Sequence, residues 1–322
     1  MSLPPRCSIV IPTWNARLLI ERCLNSIKNN IDQDRVEVIV VDDCSTDDTI
    51  EKIRKSFQFV VLVAHDKNLG FGGACNSGVL SASNKLVVLL NNDVIVTEPF
   101  LDPLLAHFDS AEVFAVNPRV YQKVNKMPGG GLVRGEMHCG LLRLRWAEDE
   151  SARGESSLTL YGNGAAMAVS RPKFLELGGF DNLYAPFYSE DLDLSYRAYQ
   201  KGWVVKYEPS SQLTHDHGAT IGKGFNTNYV DRISMRNRIL FVWRNIRDKR
   251  FWAQHIFWMI VRTLGAFASG NTNFIRALFG AILLRKMVIK KRQTDPKIVV
   301  PDRKILGITS NWAEKEYPES QS

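Results

Sequence analysis

Short apolar runs alternate with segments of helical periodicity in the first half of the chain. Four runs rich in β-branched residues predict strands, at positions 8–12, 36–41, 59–63 and 86–90. Apolar residues between the first two runs recur at helical spacing, and Ser45 or Thr46 can cap the helix that follows the second run. Such alternation is typical of an α/β fold with a doubly wound, mostly parallel sheet.

The pattern weakens after a fifth predicted strand at positions 113–120. Residues 122–160 contain three consecutive glycines, scattered charges and little periodicity, so we interpret them as an insertion or a mobile loop. Strand and helix patterns resume between residues 161 and 207. We therefore predict that one α/β domain extends over residues 1–228.

The pattern changes to amphipathic helices from residue 229 onward. One helical face carries apolar residues at three- and four-residue spacing, namely Ile275, Leu278, Phe279, Ile282 and Leu283. We predict a basic helical region over residues 229–295 and a loosely attached polar tail over residues 296–322. The most apolar stretch, residues 251–268, is interrupted by His255 and Arg262, so we expect it to be peripheral rather than transmembrane.

Positive charge is concentrated in this helical region. The 322 residues include 41 Lys or Arg and 34 Asp or Glu, which gives a net charge of +7. Residues 232–292 hold 14 of these bases and one acid, so they carry +13 and the remainder carries −6. An anionic membrane surface suits such helices. Nucleic acid is the alternative partner, but the aromatic residues fall on apolar helical faces, and we therefore predict no nucleic acid.

The cysteines and the N-terminus indicate the compartment. The five cysteines lack the spacing of a zinc site or of a disulfide framework, which fits a reducing cytoplasm. The first residues lack the charged and then apolar arrangement of a signal peptide, so we expect no export. We predict a cytoplasmic protein at the inner face of the membrane.

Polar residues follow each apolar run, at the edge where open α/β sheets bind their ligands. The first two predicted strands lead into Pro12, Thr13 and Asn15, and into Asp42 and Asp43. Two adjacent carboxylates can accept hydrogen bonds from a nucleobase and a ribose, or they can cap the next helix. A glycine-rich segment with Asn68, Gly73 and Asn76 follows the third strand, where bare backbone can approach a ligand or form a tight turn.

Two further clusters suggest a metal site and a base. Asn91, Asn92 and Asp93 follow the fourth strand, and their oxygens suit Mg²⁺ or Mn²⁺ with substrate phosphates, although turns also favour these residues. Glu190, Asp191 and Asp193 lie at a predicted helix start, where Asp191 can accept a proton or act as a cap. His215 and His217 can add a nitrogen ligand, or they can be ordinary surface or core histidines.

These motifs, in this order, resemble those of the inverting nucleotide-sugar glycosyltransferases of family 2, which have a GT-A, Rossmann-like fold. The resemblance covers about residues 7–225 and is nearest to the bacterial rhamnosyltransferase-like branch, which builds cell-surface polysaccharide. The matching segments lie at positions 8–15, 40–47, 68–76, 89–93, 178–181, 190–193 and 214–218.

The resemblance implies a role for each candidate residue. Asp191 would be the general base, supported by Glu190 and Asp193, and Asp93 and His215 would hold the divalent cation. The donor would contact Pro12, Thr13, Asn15, Asp42, Asp43, Asn68, Gly73, Asn76, Asn91 and Asn92.

The resemblance also implies substrates and partners. The donor would be dTDP-rhamnose or a UDP-sugar, and the acceptor a saccharide on a polyprenyl diphosphate. The basic helices would contact the membrane or form a homodimer. A sugar-nucleotide pyrophosphorylase is the alternative enzyme, but it would need a glycine-rich basic loop where this chain has residues 12–15.

Overall fold

The computed structural model describes residues 6–122, 128–147, 154–215, 226–295 and 298–308. Its strands are β1 (Cys7–Thr13), β2 (Val36–Asp42), β3 (Val60–Ala64), β4 (Leu86–Leu90), β5 (Val94–Val96), β6 (Val113–Gln122), β7 (Pro128–Gly130), β8 (Val133–His138), β9 (Leu141–Trp146), β10 (Ser157–Leu158), β11 (Ala166–Ser170) and β12 (Val204–His215). Its helices are α1 (Arg17–Asn30), α2 (Thr49–Ser56), α3 (Gly70–Ser81), α4 (Leu101–Leu105), α5 (Arg171–Glu176), α6 (Glu190–Gln200), α7 (Thr227–Asn245), α8 (Lys249–Ser269), α9 (Thr272–Thr294) and α10 (Asp302–Ile308).

One large mixed sheet organises the α/β part. Its main order is β10-β12-β6-β11-β4-β1-β2-β3, and β4, β1, β2 and β3 are mutually parallel, as the sequence predicts. Strand β11 runs antiparallel between β4 and β6, with Ala166 opposite Leu90. Because β11 runs the opposite way, the residues that precede it lie beside the residues that follow β4.

Apolar residues cover both faces of the sheet, as a doubly wound fold requires. Along β1, Ile9 and Ile11 belong to the cluster that contains Leu24 of α1. Val10, between them, belongs to the opposite cluster with Ala74 of α3. This alternation along one strand buries both faces and confirms the predicted fold class.

The described part of residues 122–160 includes a β-hairpin, which the interpretation as an insertion or a mobile loop missed. Strands β8 and β9 pair antiparallel from Val133 opposite Trp146 to His138 opposite Leu141. Their turn packs against α8, because Nδ1 of His255 donates a hydrogen bond to the Gly140 carbonyl at 2.6 Å while its Nε2 accepts one from Trp243. The hairpin therefore joins the sheet region to the C-terminal helices.

Helices α7, α8 and α9 form the basic region. Helix α9 packs along α7, and α8 joins α9 through Gly270, which has a φ of +66°. Several large apolar side chains of α8 and α9 are exposed, including Leu264, Phe267, Phe279 and Leu283. Within the described ranges, none of the helices has both the length and the apolar character needed to cross a bilayer.

The described part of the predicted polar tail is firmly attached, contrary to the expectation of loose attachment. Helix α10 buries Ile305 and Leu306. Asp302, which begins α10, accepts hydrogen bonds from the Tyr196 hydroxyl at 2.9 Å and from the backbone N–H groups of Arg247 and Asp248 at 2.6 and 2.7 Å. A buried carboxylate with three donors fixes α10 against α6 and the α7–α8 connection.

Candidate active site

The ends of β1 and β2 form one hydrogen-bonded unit. The backbone N–H of Asp43 donates to the Thr13 carbonyl at 2.9 Å. Asn15 accepts from the backbone N–H of Thr46 at 2.7 Å, and its own N–H donates to the Ser45 hydroxyl at 2.8 Å. The sequence predicted that Ser45 or Thr46 caps α2. Instead, both residues connect the two loops. Pro12 lies beyond the last β1–β4 pair, where its missing N–H interrupts no ladder bond to β4.

Asp42 is fully buried and only half satisfied. Its Oδ2 accepts a hydrogen bond from the backbone N–H of Ser45 at 2.8 Å. Its Oδ1 has no hydrogen-bond partner among the described residues. A buried acceptor without a donor costs about 1–3 kcal/mol, so a ligand N–H or O–H group at this position would be stabilised.

Asp43 caps a helix, but it is α3 rather than the next helix along the chain. Its two carboxylate oxygens accept from the backbone N–H groups of Leu69 and Gly70, each at 2.8 Å, and Oδ1 also lies 2.8 Å from Nδ1 of His65. Asn68 reinforces this turn, because its Oδ1 accepts from Gly70 and its Nδ2 donates to the Asp43 carbonyl. The glycine-rich segment is thereby held against the end of β2.

The other two predicted residues of this segment lie inside α3. Asn76 donates to the carbonyl of Phe180 and accepts from its N–H, both at 2.9 Å. A Cβ on Gly73 would lie 2.6 Å from Cβ of Leu69. The structure thus gives Asn76 a structural task, which is to connect α3 with the turn before α6; contact of either residue with a donor stays a prediction.

The residues after β4 adjoin both β1 and β11. Asn92 donates through Nδ2 to the Thr13 hydroxyl at 2.9 Å, and the N–H of Asn91 donates to the Ala165 carbonyl at 2.9 Å. Asp93 is buried beside His215, with 2.9 Å between Oδ1 and Nε2. We call Thr13, Asp42, Asp43, Asn91, Asn92 and Asp93 the strand-end cluster.

Asp93 and His215 are a suitable pair for a divalent cation. One carboxylate and one imidazole suit Mn²⁺, and substrate phosphates ordinarily complete such a shell. The described residues contain no set of three Cys, His, Asp or Glu side chains arranged to hold a metal. Among the described residues, Asp93 and His215 would be the two protein ligands of such an ion, and His217 lies outside the described residues.

Glu190 and Asp191, which we call the acid pair, begin α6 beside the strand-end cluster. Oδ2 of Asp191 accepts from the backbone N–H of Gly164 at 3.1 Å, and Gly164 precedes the Ala165 that bonds Asn91. A Cβ on Gly164 would lie 3.2 Å from the ring of Phe71, which follows the capped Gly70. These contacts bring the acid pair, β4 and the start of α3 to one edge of the sheet.

The loop before the acid pair is strained and clamped. Tyr188 and Ser189 have φ values of +72° and +76°, which cost about 1–3 kcal/mol each for residues other than glycine. Asn237 of α7, which is fully buried, donates to the carbonyls of Tyr184, Phe187 and Tyr188 at 2.7–2.9 Å. Helix α7 therefore determines the conformation from which α6 begins.

Burial shapes the protonation of the acid pair. Burial, together with the neighbouring charge of Asp191, raises the pKa of Glu190 to about 8, and Oε2 of Glu190 has no hydrogen-bond partner among the described residues. Burial also raises the pKa of Asp191, although the N–H groups of Gly164 and Leu192 oppose the shift. A carboxylate with a raised pKa is a stronger proton acceptor once it is ionised.

Asp193 has a different environment from the acid pair. It is fully buried, and it accepts from Arg197 at 2.7 Å, from the Tyr184 hydroxyl at 2.9 Å and from Asn245 at 2.8 Å. Burial alone would raise the pKa of Asp193, but the charges of Arg197 and Arg244 outweigh it and lower that pKa. Asp193 therefore holds α6 in place.

Gly164, His65 and Asn237 are positioning residues that sequence reasoning missed. Gly164 lies in a Gly-Asn-Gly segment that precedes a strand, which is a recognisable signal for exposed backbone N–H groups. Asn237 lies one helical turn from both Ile233 and Leu240, which are apolar, and a buried amide requires partners. Neither signal identifies those partners, which lie far away in sequence.

Comparisons with known proteins show which family and which folds this chain is similar to. A family model described as glycosyl transferase family 2 matches residues 8–159. The chain is 25% identical over 320 residues to the N-acetylglucosaminyl-diphospho-decaprenol L-rhamnosyltransferase of Mycobacterium tuberculosis (strain CDC 1551 / Oshkosh), with 90% of this chain and 97% of the relative covered.

Two solved structures share the fold. S. aureus TarS 1-349 in complex with UDP-GlcNAc aligns with a TM-score of 0.59 at 16% identity, over 98% of this chain and 93% of TarS 1-349. GalNAc-T7 with UDP, GalNAc and Mn²⁺ aligns with a TM-score of 0.64 at 18% identity, over 77% of this chain and 49% of GalNAc-T7. Both have the GT-A fold, which confirms the predicted architecture.

Proposed function

This chain is a glycosyltransferase with a family 2 domain over residues 8–159, and from that premise we propose that it transfers a sugar from a nucleoside diphosphate to a lipid-linked saccharide with inversion. The observation that carries the proposal is the position of the acid pair, one hydrogen bond from Gly164 and beside the strand-end cluster. A single displacement requires residues that bind the nucleotide on one side of the reacting carbon and a proton acceptor on the other side.

We propose that Asp191 is the catalytic base. Its carboxylate takes the proton of the acceptor hydroxyl as that oxygen bonds to the anomeric carbon, and the bond from this carbon to the diphosphate oxygen breaks. The nucleoside diphosphate leaves from the opposite face with the bonding electron pair, so the configuration inverts. The raised pKa of Asp191 supports this role, because a more basic carboxylate is better matched to a hydroxyl proton.

The strand-end cluster would hold the donor. The free Oδ1 of Asp42 supports a hydrogen bond from the base or ribose, while Asp43 and Asn68 keep the glycine-rich turn in place. A divalent cation bound by Asp93 and His215 would offset negative charge on the departing diphosphate. GalNAc-T7, which shares the fold, contains Mn²⁺, and this supports the choice of metal.

The curated relative supports the acceptor. Its name specifies rhamnosyl transfer and an N-acetylglucosaminyl-diphospho-decaprenol, and it aligns over nearly its whole length. We propose an acceptor of that class here, with dTDP-rhamnose or a UDP-sugar as the donor. The UDP-GlcNAc complex of TarS keeps the UDP-sugar in consideration.

We also propose that the enzyme works at an anionic membrane surface. Residues 249–294, which include α8 and α9, contain nine Lys or Arg and no Asp or Glu. Each cation near an anionic leaflet contributes about 1 kcal/mol, and exposed apolar side chains on the same helices can enter the interface. Vesicle flotation with and without phosphatidylglycerol tests this, and a homodimer through the same helices would instead appear in light scattering as a doubled mass.

The deciding experiment combines donor binding with product analysis. Thermal melting is measured with UDP-N-acetylglucosamine, dTDP-rhamnose and GDP-mannose, each with and without Mn²⁺. The best donor is then incubated with N-acetylglucosaminyl-diphospho-decaprenol, and NMR gives the anomeric configuration of the product. We expect one preferred donor and an inverted product; a product of retained configuration, or donor binding without transfer to any lipid-linked saccharide, would contradict the proposal.

A further inference from the structure

An open cavity of about 440 Å³ lies where the first turns of α7 and α9 meet. Its volume is within the usual range for small-ligand sites. Its described lining residues include two arginines and no acid, and they are Asn226, Asn228, Tyr229, Arg232, Gly270, Asn271, Thr272, Asn273 and Arg276. We call this the arginine cavity.

No acid of the described residues compensates the charges of the arginine cavity. Neither Arg232 nor Arg276 forms an ion pair anywhere in the described ranges, and the acid beside Arg232 in the chain, Asp231, forms none with it. Arg232 instead lies over the ring of Tyr229, with its Cζ 5.2 Å from the ring centroid. Two guanidinium groups at one opening, without a carboxylate, favour an anion with several oxygens.

A second cation-rich cavity of the molecule has a different arrangement of charge. That cavity contains Arg244 and Lys291 near the turn before α6. Arg244 is paired there with Asp295, and Nζ of Lys291 lies 2.8 Å from Oδ1 of Asp181. Its cations are therefore occupied by the protein's own acids, whereas those of the arginine cavity form no ion pair with any described residue.

The arginine cavity adjoins the loop that leads to the base. The ring of Tyr229 contacts the ring of Phe187, with 6.3 Å between centroids. Phe187 lies on the loop whose carbonyls Asn237 clamps, three residues before the acid pair. A ligand in the cavity is thus separated from the start of α6 by one pair of aromatic rings.

The arginine cavity also adjoins the exposed apolar face of α8 and α9. Phe267 is 67% exposed one turn before Gly270, and Phe279 is 60% exposed one turn after Arg276. Leu283 continues the same row along α9 at 64% exposure. An anion with an attached apolar chain could therefore occupy the cavity while its chain lies along this row.

We propose that the arginine cavity binds the diphosphate of a membrane-held polyprenyl acceptor and presents the attached sugar to the acid pair. The proposal rests on the lipid-linked acceptor of the proposed function and names where its diphosphate binds. Arg232 and Arg276 contact the diphosphate oxygens, and the isoprenoid chain leaves along Phe279 and Leu283 toward the bilayer.

The test measures binding of the full chain to phosphatidylcholine vesicles that contain either decaprenyl diphosphate or an equal charge of phosphatidylglycerol. The test variant carries Arg232→Gln and Arg276→Gln. The matched control carries Arg285→Gln and Lys286→Gln, two exposed cations of α9 outside the cavity. We expect the test variant to lose about tenfold or more in affinity for the diphosphate vesicles and to keep most of its affinity for phosphatidylglycerol. The control should keep the preference for diphosphate vesicles.

Several outcomes would overturn the proposal. The first is a wild-type protein that binds both kinds of vesicle equally well. The second is a test variant whose affinity for diphosphate vesicles is unchanged. The third is a test variant that loses affinity for both kinds of vesicle equally, because that result indicates general charge attraction. If soluble pyrophosphate binds the wild type as tightly as the diphosphate vesicles do, and the test variant loses this binding, the ligand is a free diphosphate rather than a lipid.

Two further measurements distinguish failure of the arginine-cavity proposal from misfolding of the variant and from failure of the proposed function. Arg232→Lys retains the charge and guards against a variant that fails to fold, and we expect it to bind diphosphate vesicles with an affinity between those of the wild type and the test variant. Melting shifts with nucleotide sugars report separately on the strand-end cluster. A wild-type protein that binds the diphosphate vesicles but transfers no sugar would count against the proposed function and not against the arginine cavity.

Discussion

The strand-end cluster and the acid pair lie at the same edge of the sheet, yet Asp43 of the first and Glu190 of the second have contrasting environments. Asp43 has three partners from its own chain, and Asp42 has one. Among the described residues, Glu190 has a buried oxygen without a partner, and its pKa is raised. Asp43 is held in place by its own chain before a ligand arrives, whereas Glu190 keeps an oxygen that no described donor satisfies.

The largest expected effect separates these two regions directly. Asp191→Asn keeps the shape of the side chain but removes the proton acceptor, so transfer should fall by about 10²–10⁴-fold. Donor affinity, measured by melting shift with the preferred nucleotide sugar, should stay within about twofold because the strand-end cluster is untouched. Retained turnover would remove Asp191 from the base role, and a parallel loss of donor binding would mean that the two regions are not independent.

A third carboxylate on the same helix sharpens the contrast. Asp193→Asn leaves Arg197 buried without its counter-charge, which should lower the free energy of unfolding by about 3–5 kcal/mol in urea denaturation. The matched control is Glu176→Gln, which breaks the surface ion pair with Lys201 and should cost under about 1 kcal/mol. Equal losses in the two variants would show that the buried pair does not hold α6.

The prediction for the metal concerns the strand-end cluster only. Asp93→Ala should weaken nucleoside-diphosphate binding about 5–150-fold when Mn²⁺ or Mg²⁺ is present, because ion and diphosphate binding are coupled. With a chelator present, the variant and the wild type should bind alike in calorimetric titration. The same loss with and without the ion would mean that Asp93 acts on the donor directly.

The last prediction concerns pH. Because the pKa of Glu190 rises from 4.5 to about 8 on folding, the folded state keeps a proton that the unfolded state releases. Stability should therefore decrease as pH rises from about 4.5 to 8, and Glu190→Gln should flatten this part of the melting temperature curve. A variant curve parallel to that of the wild type would contradict the burial of Glu190.

The sequence revealed the parts of the fold whose signal is local. Apolar runs gave β1 to β4, and the polar residues that follow them do gather at one edge. The hairpin was missed although residues 133–138 and 142–146 alternate apolar and polar positions, which is a local signal for strands. The role of Asn76 also eluded prediction, because its partner Phe180 lies 104 residues away and only the folded chain brings the two together.

The same limit applies to the base. The acidic residues at the start of α6 could be found from sequence, but their separation into an ion-paired Asp193 and an acid pair with raised pKa values could not. That separation depends on Arg197, Asn245 and Gly164, which reach α6 from its own next turn, from α7 and from the turn before β11. Carboxylates on the same helix therefore have different pKa values because of neighbours that no local sequence pattern identifies.

Asp302 carries a practical lesson for anyone who wishes to shorten this protein. Its carboxylate accepts hydrogen bonds from three donors. Two of them are backbone N–H groups at the α7–α8 connection, and the third is the Tyr196 hydroxyl. Truncation at residue 295 would leave all three unmatched in the interior and uncover the side of α6 that bears Tyr196. Deletion libraries and affinity tags should therefore spare α10, even though it lies outside the family 2 match.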